Sequence, residues 1–156
     1  MWRELRRGGA IPLGAGTWVL PGTPLTTATI DKVRELIERA PDGELLLLDA
    51  HGRDEQTEAS LAEQYTTARE DEWLEFLSDC VKYHAELERE VAKKKFTLAE
   101  LEEEEQSLDR LRRWHRELSL RDTFGAPSAE EAAVALKEST ERLEAFAEQV
   151  YAALGQ

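Results

Sequence analysis

Ala132-Ala133-Val134-Ala135-Leu136-Lys137-Glu138-Ser139-Thr140-Glu141-Arg142-Leu143-Glu144-Ala145-Phe146-Ala147-Glu148-Gln149-Val150-Tyr151-Ala152-Ala153-Leu154 is the most regular stretch of the chain. Ala132, Leu136, Ser139, Leu143, Phe146, Val150 and Leu154 recur at steps of three and four, the spacing that lines one face of an α-helix. Just ahead of it, Ser128 stands in N-cap position with Glu131 three residues on, a capping-box pattern, and Arg121-Asp122-Thr123-Phe124-Gly125-Ala126-Pro127 reads as a loop. The stretch therefore predicts a long terminal helix that must bury its stripe against other helices.

Working outward, Thr97-Leu98-Ala99-Glu100 is a second capping box, opening a helix that runs to about Leu120 with a seam of Leu101, Leu108, Leu111 and Leu118. Before it, about Glu55 to Val91, a first long helix carries Leu61, Tyr65, Ala68, Phe76, Leu77, Cys80, Tyr83, Leu87 and Val91 along one stripe. Its length predicts a break or kink. Three long helices with short connections predict an antiparallel three-helix bundle over residues 54–156.

Residues 1–53 read differently. Residues 2–7 look like a helix end closed by Gly8-Gly9, and Ala10 to Leu13 and Thr17 to Leu20 are short β-prone runs joined by Gly14-Ala15-Gly16. Pro12 cannot donate to a ladder, so its strand belongs at an edge. Ile30, Val33, Leu36 and Ile37 mark a helix from Thr29 to Ala40, and Glu44-Leu45-Leu46-Leu47-Leu48-Asp49 has the length and composition of a strand buried on both faces. The order helix, strand, strand, helix, strand predicts a small α+β part, packed with the bundle as one domain.

The net charge of −13 is unevenly spread. Residues 1–53 hold seven acids and seven bases, residues 54–110 eighteen and seven, and residues 111–156 eight and six. A phosphate backbone would be repelled along the middle helices, leaving Arg3, Arg6 and Arg7, or Arg110, Arg112, Arg113 and Arg116, as the only groups able to meet one. No apolar run reaches the roughly 20 residues of a membrane span and none has the form of a signal peptide, so a cytoplasmic protein is expected. The lone Cys80, on an apolar stripe, reads as an inert buried thiol.

Two acids interrupt the stripes: Glu72 between Ala68 and Phe76, and Glu104 between Leu101 and Leu108. With His115 on the same seam as Glu104, and His84 near the first, they could project metal ligands between helices, as bundles do. Ion pairing with Arg69, Arg112 or Arg113 is the ordinary alternative for seam acids. Those arginines are the candidate binding residues. Glu102 to Glu105 sit in the first turns of a helix, where acids favour the dipole, and the glycine pairs match no phosphate loop. Nothing reads as a self-contained enzyme active site, and no cofactor is implied.

Trp2-Arg3-Glu4-Leu5-Arg6-Arg7-Gly8-Gly9-Ala10 through Gly16-Thr17-Trp18-Val19-Leu20-Pro21 resembles the start of the N-terminal domain of the chromate-resistance regulators of the ChrB family. The likeness continues through Ala68 to Phe76, Phe96 to Glu105, Leu108 to Trp114 and Arg121 to Pro127, nearly the whole chain. The helix-hairpin start is also similar to the middle domain of the phenylacetate-responsive repressors, which has a ferredoxin-like fold. The resemblance implies a ferredoxin-like sheet, chromate-responsive regulation, and DNA contact as a family trait only. The family's second domain, and the strand it carries before the first helix, have no counterpart in these residues. The sheet is then expected to lack its first strand, and its open edge to recruit a protein partner or a second copy. The function expected is a non-enzymatic regulatory or interaction domain in chromate stress, with a metal- or oxyanion-sensing bundle as the alternative.

Overall fold

The structure, a computed structural model, describes residues 1–155. Along the chain lie α1 (Trp2–Arg7), β1 (Ile11–Gly14), β2 (Thr17–Val19), α2 (Pro24–Arg39), α3 (Glu55–Ala92), α4 (Leu98–Arg121) and α5 (Ala129–Leu154). They gather into two compact units, one of residues 1–69 and 120–125, the other of residues 70–119 and 126–156. By compactness the first part of α3 and the end of α4 group with the N-terminal elements, while the sequence reading divides the chain at residue 53.

In the first unit, α1 ends as glycine chemistry dictates. Gly9 takes φ +89°, its N–H donates to the carbonyl of Arg6 at 2.9 Å, and the Ala10 N–H donates to Leu5 at 2.8 Å, the paired bonds that close a helix through a left-handed residue. A Cβ on Gly8 would collide with the Thr29 side chain, so its absence lets α1 lie close on α2. β1 and β2 pair antiparallel, Ile11 opposite Val19 and Pro12 opposite Trp18, with an irregularity before Gly14 and a turn whose Ala15 and Gly16 both have positive φ. α2 begins earlier than its apolar spacing predicts. Thr23 accepts from the Thr26 N–H at 3.3 Å and Pro24 fills the first helical position, where its missing donor costs nothing. Leu5, Ala10 and Val33 form a small core flanked by Trp18, Leu20, Ile37 and Leu45.

Among the described residues the ferredoxin-like sheet is not seen. The only sheet among the described residues is the β1–β2 hairpin, and the third strand expected over Glu44–Asp49 is irregular. A strand exists only through pairing, and apolar composition supplies no neighbour.

In the second unit, α3, α4 and α5 bury one shared apolar cluster. α3 runs uninterrupted from Glu55 to Ala92 where a break is expected, and its span is about 57 Å at 1.5 Å per residue. Tyr83 meets the backbone of Glu104, and Phe76 meets Trp114 and His115, so α3 and α4 run in opposite directions. Glu70 meets Ser128, His84 meets Ser139 and Glu88 meets Arg142, so α5 follows α3. Every seam leucine named for α4 is buried, and α5 buries Ala132, Ser139, Leu143, Phe146 and Val150. Of the two capping boxes, Thr97 accepts from the Glu100 N–H at 3.2 Å, but Ser128 caps nothing with its own oxygen. Its hydroxyl and N–H both donate to Glu70 of α3, whose carboxylate, and not that of Glu131, holds the start of α5.

Candidate functional site

Five polar arrangements bear on function. The most buried is Glu104, only 1% exposed, whose two carboxylate oxygens have no hydrogen-bond partner. Burial, and then the nearby carboxylates of Glu86, Glu103 and Glu90, raise its pKa to about 7. One oxygen of Glu90 is likewise buried without a partner. The expectation that an arginine pairs with this seam acid does not hold: Arg112 pairs with Asp109 at 3.4 Å and reaches Thr140, and Arg69 is in the other unit.

The metal set read from the sequence does not converge. Glu104 and His115 stand eleven residues apart on one helix, about 16 Å along its axis, and Glu72 is half-buried with interactions of its own. Among the described residues, no three His, Cys, Asp or Glu side chains lie close enough to hold an ion. His115 packs instead against the rings of Trp73 at 5.2 Å and Phe76 at 5.6 Å, and burial lowers its pKa, favouring neutral imidazole.

A third arrangement was not anticipated. His84 Nε2 lies 2.7 Å from Ser139 Oγ, and the Ser139 hydroxyl donates to the Ala135 carbonyl at 2.8 Å. That hydroxyl has one proton, so the imidazole is the donor in this pair. Burial, reinforced by Arg142, lowers the His84 pKa, and burial raises that of the neighbouring Cys80 thiol. Both nucleophiles are enclosed and Ser139 is bound to its own helix, so the trio ties α3 to α5. Only the small polar residue within the apolar stripe of α5 hinted at it.

The fourth arrangement is on the surface. Gln106, Asp109, Arg110, Arg112, Arg113 and Arg116 line a groove of about 510 Å³ along α4. Arg110 donates to Ser107 at 2.9 Å, and Arg113 and Arg116 are exposed. This is the cationic concentration the sequence singles out, with Arg112 and Arg113 in it. It can offer several guanidinium forks to one anion.

The first unit contains the third candidate arginine, Arg69, in a buried knot. Arg69 Nη1 donates to the Gly9 carbonyl at 2.8 Å, its guanidinium lies 4.6 Å from the centre of the Tyr65 ring, and Tyr65 Oη donates to the Arg121 carbonyl at 2.6 Å. Arg121 reaches the Arg7 carbonyl at 3.4 Å, and Phe124 stands edge-on to Tyr65 at 5.8 Å. A Cβ on Gly9 would come within 2.5 Å of both Arg69 Nη1 and Tyr65 Oη, so glycine is required there. Arg69 thus holds α1 on α3.

Three separated stretches, around Gly9, Arg69 and Arg121, meet in this knot, and all three lie among the residues quoted for the family resemblance. The family model described as Protein ChrB, N-terminal, matches the chain over residues 1–156. The chain belongs to this ChrB N-terminal family. No curated protein and no solved structure matches the chain significantly. In this member of the ChrB family, the Gly9 knot joins stretches far apart in the sequence. Among the described residues, no helix is long and apolar enough to cross a membrane.

Proposed function

We propose that this chain is a non-enzymatic regulatory or interaction domain of a chromate-resistance system, working in the cytoplasm through a protein partner. The family match over residues 1–156 carries this reading. Support comes from the reactive groups: Ser139, Cys80 and Glu104 are enclosed, and His84 and Ser139 are bonded to one another. On this reading α3 to α5 act as a three-helix bundle presenting charged outer faces. The test has two arms. In cells with a chromate-inducible reporter, removing and restoring the chain should change the response, and an unchanged response overturns the regulatory role. With purified chain, chromate and a thiol reductant, chromate should persist as in the protein-free control, and catalytic loss of chromate overturns the non-enzymatic role.

The groove on α4 favours a second reading, oxyanion sensing, because four arginines share one depression on a strongly acidic chain. Calorimetric titration with chromate decides it. Saturable binding weakened about tenfold or more by Arg112→Ala with Arg113→Ala supports the groove. Unchanged affinity removes it.

A further inference from the structure

Residues 44–51 form neither helix nor strand, and among the described residues no hydrogen bond reaches their backbone. Most such segments are polar loops. This one carries Leu45-Leu46-Leu47-Leu48 between Glu44 and Asp49. Leu45 turns towards the small core of the first unit, whereas Leu46 is 81% and Leu48 89% exposed, with Leu47 between at 45%. Leu46, Leu47 and Leu48 are thus exposed in a row, Leu47 the least of them, and Leu45 is the only leucine of the four turned inward. The segment has a strand's composition without its pairing. Unpaired backbone beside exposed apolar side chains is what an added strand satisfies.

The flanking charges choose between occupants. An antiparallel second copy centred on the leucines would set Glu44 opposite Asp49 at both ends, and a parallel in-register copy would set each acid opposite itself. Like charges directly opposite destabilise a ladder, and opposite charges support it. Asp42 adds to the acidic end, with His51 and Arg53 beyond Asp49.

We propose that Glu44–Asp49 is a strand-addition site for an apolar β-strand of a partner protein that bears lysine or arginine at its ends. Main-chain bonds from residues 45–48 hold the strand, Leu46 and Leu48 pack on its side chains, and the two acids set register. This deepens the interaction reading by supplying the partner's chemistry, and rests on it only for the partner's place in the response.

The test uses the full chain and two labelled peptides of alternating valine and isoleucine, one with lysine at each end and one with glutamate. Fluorescence anisotropy should show saturable binding of the lysine peptide, tighter than the glutamate peptide by about tenfold or more. Hydrogen exchange should slow at the amides of residues 44–49 alone. Leu46→Asp with Leu48→Asp, both at exposed positions, and Leu47→Pro, which removes a donor, should each abolish binding while circular dichroism is unchanged. Absence of saturable binding, equal affinity for both peptides, or protection elsewhere overturns the proposal. So does a dimer in sedimentation that Leu46→Asp with Leu48→Asp dissolves. Failure of the peptide with an intact reporter response removes this surface and leaves the regulatory role standing.

Discussion

The two compact units are stabilised in different ways. The helical unit joins fourteen buried residues in one apolar cluster, whereas the first unit has three, Leu5, Ala10 and Val33, and relies on the knot of Gly9, Tyr65, Arg69 and Arg121. Apolar burial is non-directional and tolerates imperfect fit, while a knot of hydrogen bonds around a glycine works only in one geometry. The helical unit should therefore lose stability in proportion to volume removed, and the first unit should fail at single points.

The largest effect expected is Phe76→Ala, since Phe76 is fully buried among Trp73, Trp114 and His115. A loss of about 3–5 kcal/mol in urea unfolding is expected, and a loss under about 1 kcal/mol would show that the cluster is not the mainstay of its unit. Next comes Glu104→Gln. The folded pKa of about 7 lies above the ordinary carboxyl value of 4.5, so the protonated form favours folding. That contribution is complete below about pH 4.5 and is lost as pH rises through about 7. Glutamine keeps the shape without the charge. Urea unfolding of the variant should lack the fall in stability that Glu104 causes between about pH 5 and pH 8, keeping only the opposite slope from His84 and His115, and at about pH 8 it should gain up to roughly 3 kcal/mol over the parent. No gain there would mean that Glu104 is ionised and partnered.

Gly9→Ala sharpens the contrast from the other side. The left-handed φ and the clash with Arg69 and Tyr65 predict a loss of about 2 kcal/mol, seen as faster hydrogen exchange in α1 and the hairpin with α5 unaffected. Uniform acceleration would show that the two units unfold together. The smallest effect expected is Ser128→Ala, which removes the hydroxyl's bond to Glu70 and should cost about 1 kcal/mol, fraying the first turn of α5 in hydrogen exchange.

The same contrast explains what could be read from the sequence. In α4 and α5 the three-four period of Leu101, Leu108, Leu111 and Leu118, and of Ala132 to Val150, located helices and buried faces together, because the period is imposed by local geometry. The Glu44–Asp49 segment has a strand's composition but no strand, because pairing is non-local and leaves no trace in the segment itself. The apolar spacing of Ile30 to Ile37 locates the body of α2 but not its start, which is set by the Thr23 N-cap and the first-turn Pro24. Of the candidate site residues, Glu104 is buried at the seam where its place in the stripe puts it, and Arg112 and Arg113 line one groove with Arg110 and Arg116. Arg69, a candidate binding residue by sequence, braces α1 through the Gly9 carbonyl. A periodic pattern shows which face a side chain is on, but not whether a carbonyl sixty residues away is waiting for it.

Cys80, only 1% exposed within the cluster, is the chain's single cysteine. A thiol reagent can therefore mark this molecule at one place, and only in the moments when α3, α4 and α5 part. At reagent concentrations where labelling is slow beside closing, its rate measures the fraction of time the helical unit stands open. The molecule thus has a built-in gauge of its own breathing, and adding a candidate effector or partner strand would show directly whether that breathing is quieted.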